Sequence, residues 1–146
     1  MSDINEITPL SKDEEKTLNM LKEKGMTFKG SSRAFSTFLI LWLLSKNDMH
    51  GYKIIKKIDE IFKPQIEHEL MKPTKPSIIY PLLKTMEKNT LIDSYEGLNS
   101  LKKVRIYRLT PEGKQILSII KKDFKDNIKR SIWRELISDL GFQTIE

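Results

Sequence analysis

The order of hydrophobic periodicities across residues 49–110 constrains the fold more than any other feature: two short helical patterns, a strand, a basic turn and a second strand. In the first pattern Ile54, Ile55, Ile58, Ile61 and Phe62 recur at the three and four spacing of one helical face. Lys53, Lys56, Lys57, Asp59 and Glu60 fill the opposite arc, and Pro64, which has no amide to donate, ends the helix. In the second, Ile79, Leu82, Leu83 and Met86 share a face, Tyr80, Lys84 and Lys88 point elsewhere, and Pro76 suits the first turn. Pro81 removes a backbone donor and crowds the carbonyl of Ser77, so the first turn is expected to bend or the regular helix to begin after Pro76. Residues 91–96 and 104–109 carry the β-branched and aromatic side chains of strands, with Gly97, Leu98, Asn99 and Ser100 as the loop between them. Lys103 and Arg105 fall on one side of the returning strand, and Leu101 and Lys102 stand at its border with the loop. Helix, helix, wing is an order of elements that can read duplex DNA.

Charge agrees with that expectation. The chain has 146 residues and a formal net charge of +6. Residues 31–110 hold 14 basic and 8 acidic side chains, residues 1–30 hold 5 and 6, and residues 111–146 hold 7 and 6. The middle segment therefore carries the whole excess, as expected of a surface that meets phosphate. At 38% hydrophobic content the chain can fill a single core. The absence of cysteine excludes disulfides, thiolate metal sites and thiol nucleophiles, and is compatible with a reducing, cytoplasmic setting. The first residues are acidic and polar where a secretory signal would be basic and then apolar. The densest apolar run, residues 38–44, falls well short of the roughly 20 residues a bilayer requires and reads as a buried core helix. No glycine-rich phosphate loop, nucleophile elbow or histidine with paired carboxylates at catalytic spacing is present, so an enzyme is not expected. His50 reads as a capping or packing residue, and His68 between Glu67 and Glu69 lacks the pattern of a metal site; neither a metal nor a cofactor is expected.

Three segments follow: an N-terminal helical extension and linker (1–33), the helix, helix, wing region (34–110) and a C-terminal helix (111–146). Ser11 with Glu14 forms a capping box ahead of Leu18 and Leu21, and Gly25 stops that helix. A linker over residues 26–33 leads to the core helix carrying Phe35, Phe38, Leu39, Leu41, Trp42 and Leu43, and Lys63 to Lys75 forms a longer polar connection. Thr110 caps the last helix with Pro111 at its first position. In it Ile116, Ile120, Phe124, Ile128, Ile132, Leu136 and Leu140 repeat every four residues, widened by Leu117, Trp133 and Ile137 and closed by Gly141. Read as one long helix leaving a small domain, this stripe has too little of its own chain to pack on and predicts a homodimer.

Several ordered motifs resemble one family. Met49, His50, Gly51, Tyr52, then Ser77 to Lys84 (SIIYPLLK), then Leu91, Ile92, then Tyr107 to Gly113 (YRLTPEG) are similar to the PadR family of transcriptional regulators over about residues 35–118. The resemblance implies a mainly helical winged helix-turn-helix with a small β-hairpin, dimeric through its C-terminal helix and binding double-stranded DNA, as a repressor. It places Lys75, Ser77, Tyr80, Lys84 and Lys88 on the recognition helix and Lys102, Lys103 and Arg105 on the wing. It assigns Ile120, Phe124, Ile128, Ile132, Trp133, Leu136 and Leu140 to the dimer interface, with Trp133 and Phe124 able to stack on a planar small-molecule effector. The chain departs from the pattern at Ile78, where the family carries a hydroxyl residue. It also has Asn89 and Thr90 in place of a glycine, and lysine in place of arginine in the wing. The bland alternatives are a solvated helix face, a Tyr80 ring packed under its helix with only the hydroxyl outward, and a hairpin edge guarded by charge. A protein-interaction module in a larger assembly is the alternative function.

Overall fold

The computed structural model describes residues 7–25 and 31–142. Seven helices and three strands follow in the order α1 (Lys12–Glu23), α2 (Ser31–Lys46), β1 (Met49–His50), α3 (Gly51–Ile61), α4 (Lys63–Glu67), α5 (Pro76–Lys88), β2 (Ile92–Asn99), β3 (Lys102–Leu109), α6 (Pro111–Asn127) and α7 (Ser131–Asp139). The architecture is mainly helical with a small antiparallel sheet, as expected, and the core collects the apolar faces of α2, α3, α5, the sheet and α6. α2 lies at its centre: Leu39, Ile40, Leu41, Leu43 and Leu44 are all buried. Most of the linker expected over residues 26–33 lies outside the described residues.

The sheet has one strand more than the hairpin expected. Met49 and His50 pair with Tyr107 and Ile106, giving the order β1-β3-β2, because burying the Met49 side chain draws the turn after α2 alongside β3. His50 accordingly makes no side-chain cap on α3, contrary to the capping reading. The hairpin is also longer than its sequence suggested. β2 and β3 pair from Ile92↔Leu109 to Asn99↔Lys102, so Gly97, Leu98 and Asn99 belong to a strand and the loop shrinks to Ser100 and Leu101. Gly97 leaves room inside that ladder for Ile106, whose Cδ1 would lie 2.2 Å from a Cβ at position 97 and would have to move aside.

α5 begins at Pro76 despite Pro81, which sits exposed inside the helix. Lys75 supplies the carbonyl that accepts from both Ile78 and Ile79, a tightened first turn. At its other end Asn89 stays at φ −91° as the C-cap and donates its amide to the Thr85 carbonyl, while Thr90 takes the left-handed conformation at φ 63°. Of the two residues that stand in place of a glycine, Thr90 and not Asn89 is therefore the left-handed one. The amides of Thr90 and Leu91 close the helix on Glu87 and Met86.

The C-terminal helix is two helices, not one. α6 ends at Asn127, Arg130 is extended (φ −87°, ψ 144°), and α7 starts at Ser131. The break brings the Trp133 ring edge-on to Phe124, 6.1 Å between centroids. Asn127 and β-branched Ile128 are poor helix formers at the junction. The four-residue spacing could not reveal it because Ile128 and Ile132 keep their register across the gap. Gly141, at φ 88°, closes α7 as expected, with the Phe142 amide on the Ile137 carbonyl.

α1 packs on α6. Its capping box forms as read from the sequence, Glu14 N–H to Ser11 Oγ at 3.1 Å and Ser11 N–H to Glu14 Oε1 at 2.7 Å. The same carboxylate, only 3% exposed, also accepts from Ser118 Oγ and Lys122 Nζ on α6. Lys122, then Ser118, then the Ser11 amide hold Glu14 well below the usual carboxylate range, at about 2, against the opposing effect of burial. Nearby, Thr8 donates its amide and hydroxyl to Asp126, which lowers that carboxyl too.

A depressed carboxyl stabilises the fold above its unfolded value, 4.5 for Glu14, and that contribution disappears as pH falls toward 2. Amide protection in α1, taken relative to the intrinsic exchange rate at each pH, is therefore expected to fall between pH 4.5 and 2 ahead of protection in α2. Glu14→Gln should have a weaker α1 at neutral pH and lose this acid dependence; an unchanged acid profile in the variant would contradict the account.

Gly113 is the position where α6 passes close to the chain before the wing. Its Cβ would stand 2.1 Å from the Leu91 carbonyl oxygen and 2.6 Å from Leu109 Cδ1. The first is backbone that cannot rotate away, so Gly113→Ala should cost about 1–3 kcal/mol and lower the melting temperature by roughly 3–10 °C. A melting temperature equal to that of the parent would contradict it.

Candidate nucleic-acid interface

α5 presents two faces. Ile79, Leu82, Leu83 and Met86 are buried against the core, and Lys75, Ser77, Ile78, Tyr80, Lys84 and Lys88 are exposed. Lys75 is the N-cap residue and Ser77 lies in the first turn, where free amides and the helix dipole favour an anion; Lys88 lies in the last turn. α3, packed beside α5, adds Lys53 and Lys56 on its exposed face, with Lys56 Nζ 5.1 Å over the Tyr52 ring. Sequence reasoning left these residues out of the site, although their polar arc was visible; what was missing was which helix faces stand side by side.

Tyr80 resolves into an intermediate position. Its ring lies on the backbone at the start of α3, where a Cβ on Gly51 would come within 2.5 Å of Cε1 and 2.8 Å of the hydroxyl oxygen, yet the residue is 44% exposed. The glycine of the HGY motif thus makes room for the tyrosine of the IYPLL motif, and two residues 29 positions apart describe one contact.

On the wing, Lys103, Arg105 and Tyr107 share the face of β3 that turns toward α5. Arg105 donates to Ser94 Oγ at 2.6 Å and lies 3.9 Å from Glu87 of α5, and Ser94 in turn donates to Glu87. Lys103 pairs with Glu96 at 3.4 Å. Lys102 is exposed on the opposite face, so the three wing cations are split between two sides of the strand. The Tyr107 hydroxyl is pushed up by burial and, second, by Glu87. Exposed pairs such as Lys103–Glu96 contribute at most about 1 kcal/mol, which leaves these cations available to a stronger anion. On the outer face of the hairpin Arg108 forms a two-pronged pair with Asp93 (2.9 and 3.2 Å) and lies over Tyr95, whose hydroxyl donates to Asp48 at 2.8 Å. That hydrogen bond pushes the Tyr95 hydroxyl up. The cluster fastens the base of the wing to the turn after α2.

The residues assigned to a dimer interface separate into two groups. Ile120 and Phe124 pack against their own chain, Phe124 at 5.4 Å from Phe38, and Trp133 is half-buried on Phe124. Ile128, Ile132, Leu136 and Leu140 are 40, 64, 49 and 64% exposed. A cleft of about 340 Å³ lined by Ile132, Trp133, Glu135, Leu136 and Asp139 opens on α7. Among the described residues, no three His, Cys, Asp or Glu are grouped to hold a metal, and no helix is long and apolar enough to cross a membrane.

Gly51→Ala and Tyr80→Ala are expected to be coupled by about 1 kcal/mol in a double-mutant cycle of unfolding free energies, because the first change displaces only the ring that the second removes. Gly51→Ala should cost less than Gly113→Ala, since a ring tip can swing aside and a backbone carbonyl cannot. Additive effects of the two changes would contradict the contact.

The family model described as Transcriptional regulator PadR-like family matches residues 40–119. A PadR family transcription regulator from hypervirulent Clostridium difficile R20291 is 29% identical, with a TM-score of 0.51 over 73% of this chain and 97% of that one. A candidate transcriptional regulator of Thermoplasma acidophilum, TA0346, is 26% identical, with a TM-score of 0.57 over 78% and 95%. The protein smu.1704 of Streptococcus mutans UA159 shares the fold at 24% identity, with a TM-score of 0.55 over 82% and 100%. Among curated proteins none matches the chain.

Proposed function

The chain belongs to the PadR-like family of transcriptional regulators, and we propose that it acts as a homodimer that binds a pseudo-palindromic site in duplex DNA and represses transcription by occupying a promoter. The observation that carries this reading is the side-by-side placement of the exposed faces of α3 and α5 with the wing, within the segment that holds the whole basic excess. α5 enters the major groove with Tyr80 and Lys84 toward base edges, Lys75 and Ser77 bring its N-terminal end to a phosphate, and Lys88 takes the flanking backbone. Lys102, Lys103 and Arg105 hold the backbone beside the site, with Arg105 kept in line with α5 through Glu87.

Dimer formation is supported by Ile128, Ile132, Leu136 and Leu140, apolar side chains that a monomer leaves in water. Ile120 and Phe124 contribute by fixing α7 on the body of the chain rather than by facing the partner. Trp133, edge-on to Phe124 and bordering the α7 cleft, offers a planar aromatic effector a stacking surface where it alters the dimer contact.

Binding to duplex DNA is expected to fall linearly on a log–log plot against salt. Lys102→Ala/Lys103→Ala should weaken binding to every sequence and reduce that slope by about 2. Lys84→Ala should change sequence preference instead. A slope that is the same in the double variant would contradict the placement of the wing.

A further inference from the structure

The wing closes through two residues, and both are left-handed: Ser100 at φ 50° and Leu101 at φ 70°. Turns of this kind favour asparagine and glycine, because the Cβ of any other residue crowds the neighbouring carbonyl. A leucine in the second place is strained, and its side chain recovers nothing from its own chain. Leu101 is 95% exposed, more than any other exposed large hydrophobic residue described. The conformation is imposed by what flanks it. The ladder runs without a bulge to Asn99↔Lys102, Ile106 fills the space left by Gly97, and Asn99 Nδ2 lies 3.4 Å from His50 Nε2, so the tip is tied back to β1. A strained residue that the surrounding structure holds in place is a mark of contact with a ligand.

The chemistry around it says which. Leu101 stands at the apex with Lys102 and Lys103 immediately behind, on opposite faces of β3. An apolar point between two cations complements a groove whose walls are phosphate and whose interior presents sugar carbons and the stacked edges of bases. We propose that Leu101 is a DNA-contacting residue, the apolar tip that enters the minor groove while Lys102 and Lys103 engage the phosphates on its two sides. This rests on the DNA-binding reading above and extends it from charge, which is indifferent to sequence, to an apolar contact that depends on groove width and on how readily a base step opens.

Leu101→Gly separates the two roles of the residue, because glycine relieves the turn and removes the side chain. With the full chain and a duplex selected from a random pool, Leu101→Gly is expected to melt no lower than the parent. It should bind about tenfold more weakly, the loss of one partly buried leucine, with the salt slope unchanged. Leu101→Met, which keeps an apolar side chain, should bind within about threefold of the parent. Parent-like affinity in Leu101→Gly, or a loss accompanied by a flatter salt slope, would overturn the inference and leave DNA binding through the lysines intact. Failure of the parent protein to select any duplex would instead overturn the functional reading, and this inference with it.

Discussion

The backbone carbonyl of Leu91 is the point on which the structure turns. It accepts the Thr110 amide at 3.2 Å where the wing returns to the body, and α6 passes so close above it that only a residue without a side chain fits at position 113. Thr110 secures the junction, donating its hydroxyl to the Thr90 carbonyl and accepting the Gly113 amide as N-cap of α6. The end of α5, the base of both wing strands and the start of α6 thereby meet within a few residues. The direction of the wing relative to α5 is fixed by that packing rather than by the hairpin itself, since an isolated two-stranded hairpin is marginally stable in water. Two further links maintain the angle: Arg105 to Ser94 and Glu87 on the inner face, and Tyr95 to Asp48 on the outer one. The proposed function depends on that rigidity, because in it α5 and the wing engage one rigid duplex.

Much of this was legible in the sequence where local physics decides. Ser11 with Glu14, Thr110 with Pro111, and Gly141 each specify a helix end through their own hydrogen bonds or dihedrals, and each does so in the structure. The apolar faces of α3 and α5 followed from periodicity. What stayed hidden depended on partners distant in the chain. Met49 and His50 are too few to register as a strand until β3 lies beside them. Thr90 is forced left-handed because α5 ends there, although Asn89 has the better intrinsic preference. Gly97 resembles a loop residue and is in fact a strand position emptied for Ile106. The exposed cations of the candidate site could be chosen from the sequence, but their pairing with Glu87 and Glu96, and the split of Lys102 from Lys103, could not.

The C-terminal stripe shows how a periodicity can mislead. Residues four apart on an α-helix advance by about 40° of rotation, so the six steps from Ile116 to Leu140 would turn through about 240° on a continuous helix. Such a stripe cannot face one partner throughout. The early members accordingly face their own core, with Ile116 buried and Ile120 packed on it, and the helix breaks before the later members, which point to solvent from α7. α1 covers another part of α6 through Glu14, so the larger exposed apolar side chains at this end of the chain, Ile132, Leu136 and Leu140, lie on or beside α7, where the proposed second copy would pack. α6 thus links the two ends of the chain's fold: Gly113 at its start lies on Leu91, and Phe124 near its end carries the Trp133 ring of α7.

In the proposed assembly two copies meet through α7 and present their α5 helices to successive major grooves. The chain has no cysteine, so Thr85→Cys, on α5 but outside the residues proposed to touch DNA, can carry a single spin label per protomer. Pulsed dipolar spectroscopy on the labelled protein with its selected duplex is predicted to give one distance population near about 35 Å, the spacing of successive major grooves, with label length broadening it to roughly 30–40 Å. The absence of any dipolar distance, or a population well outside that span, would contradict the account.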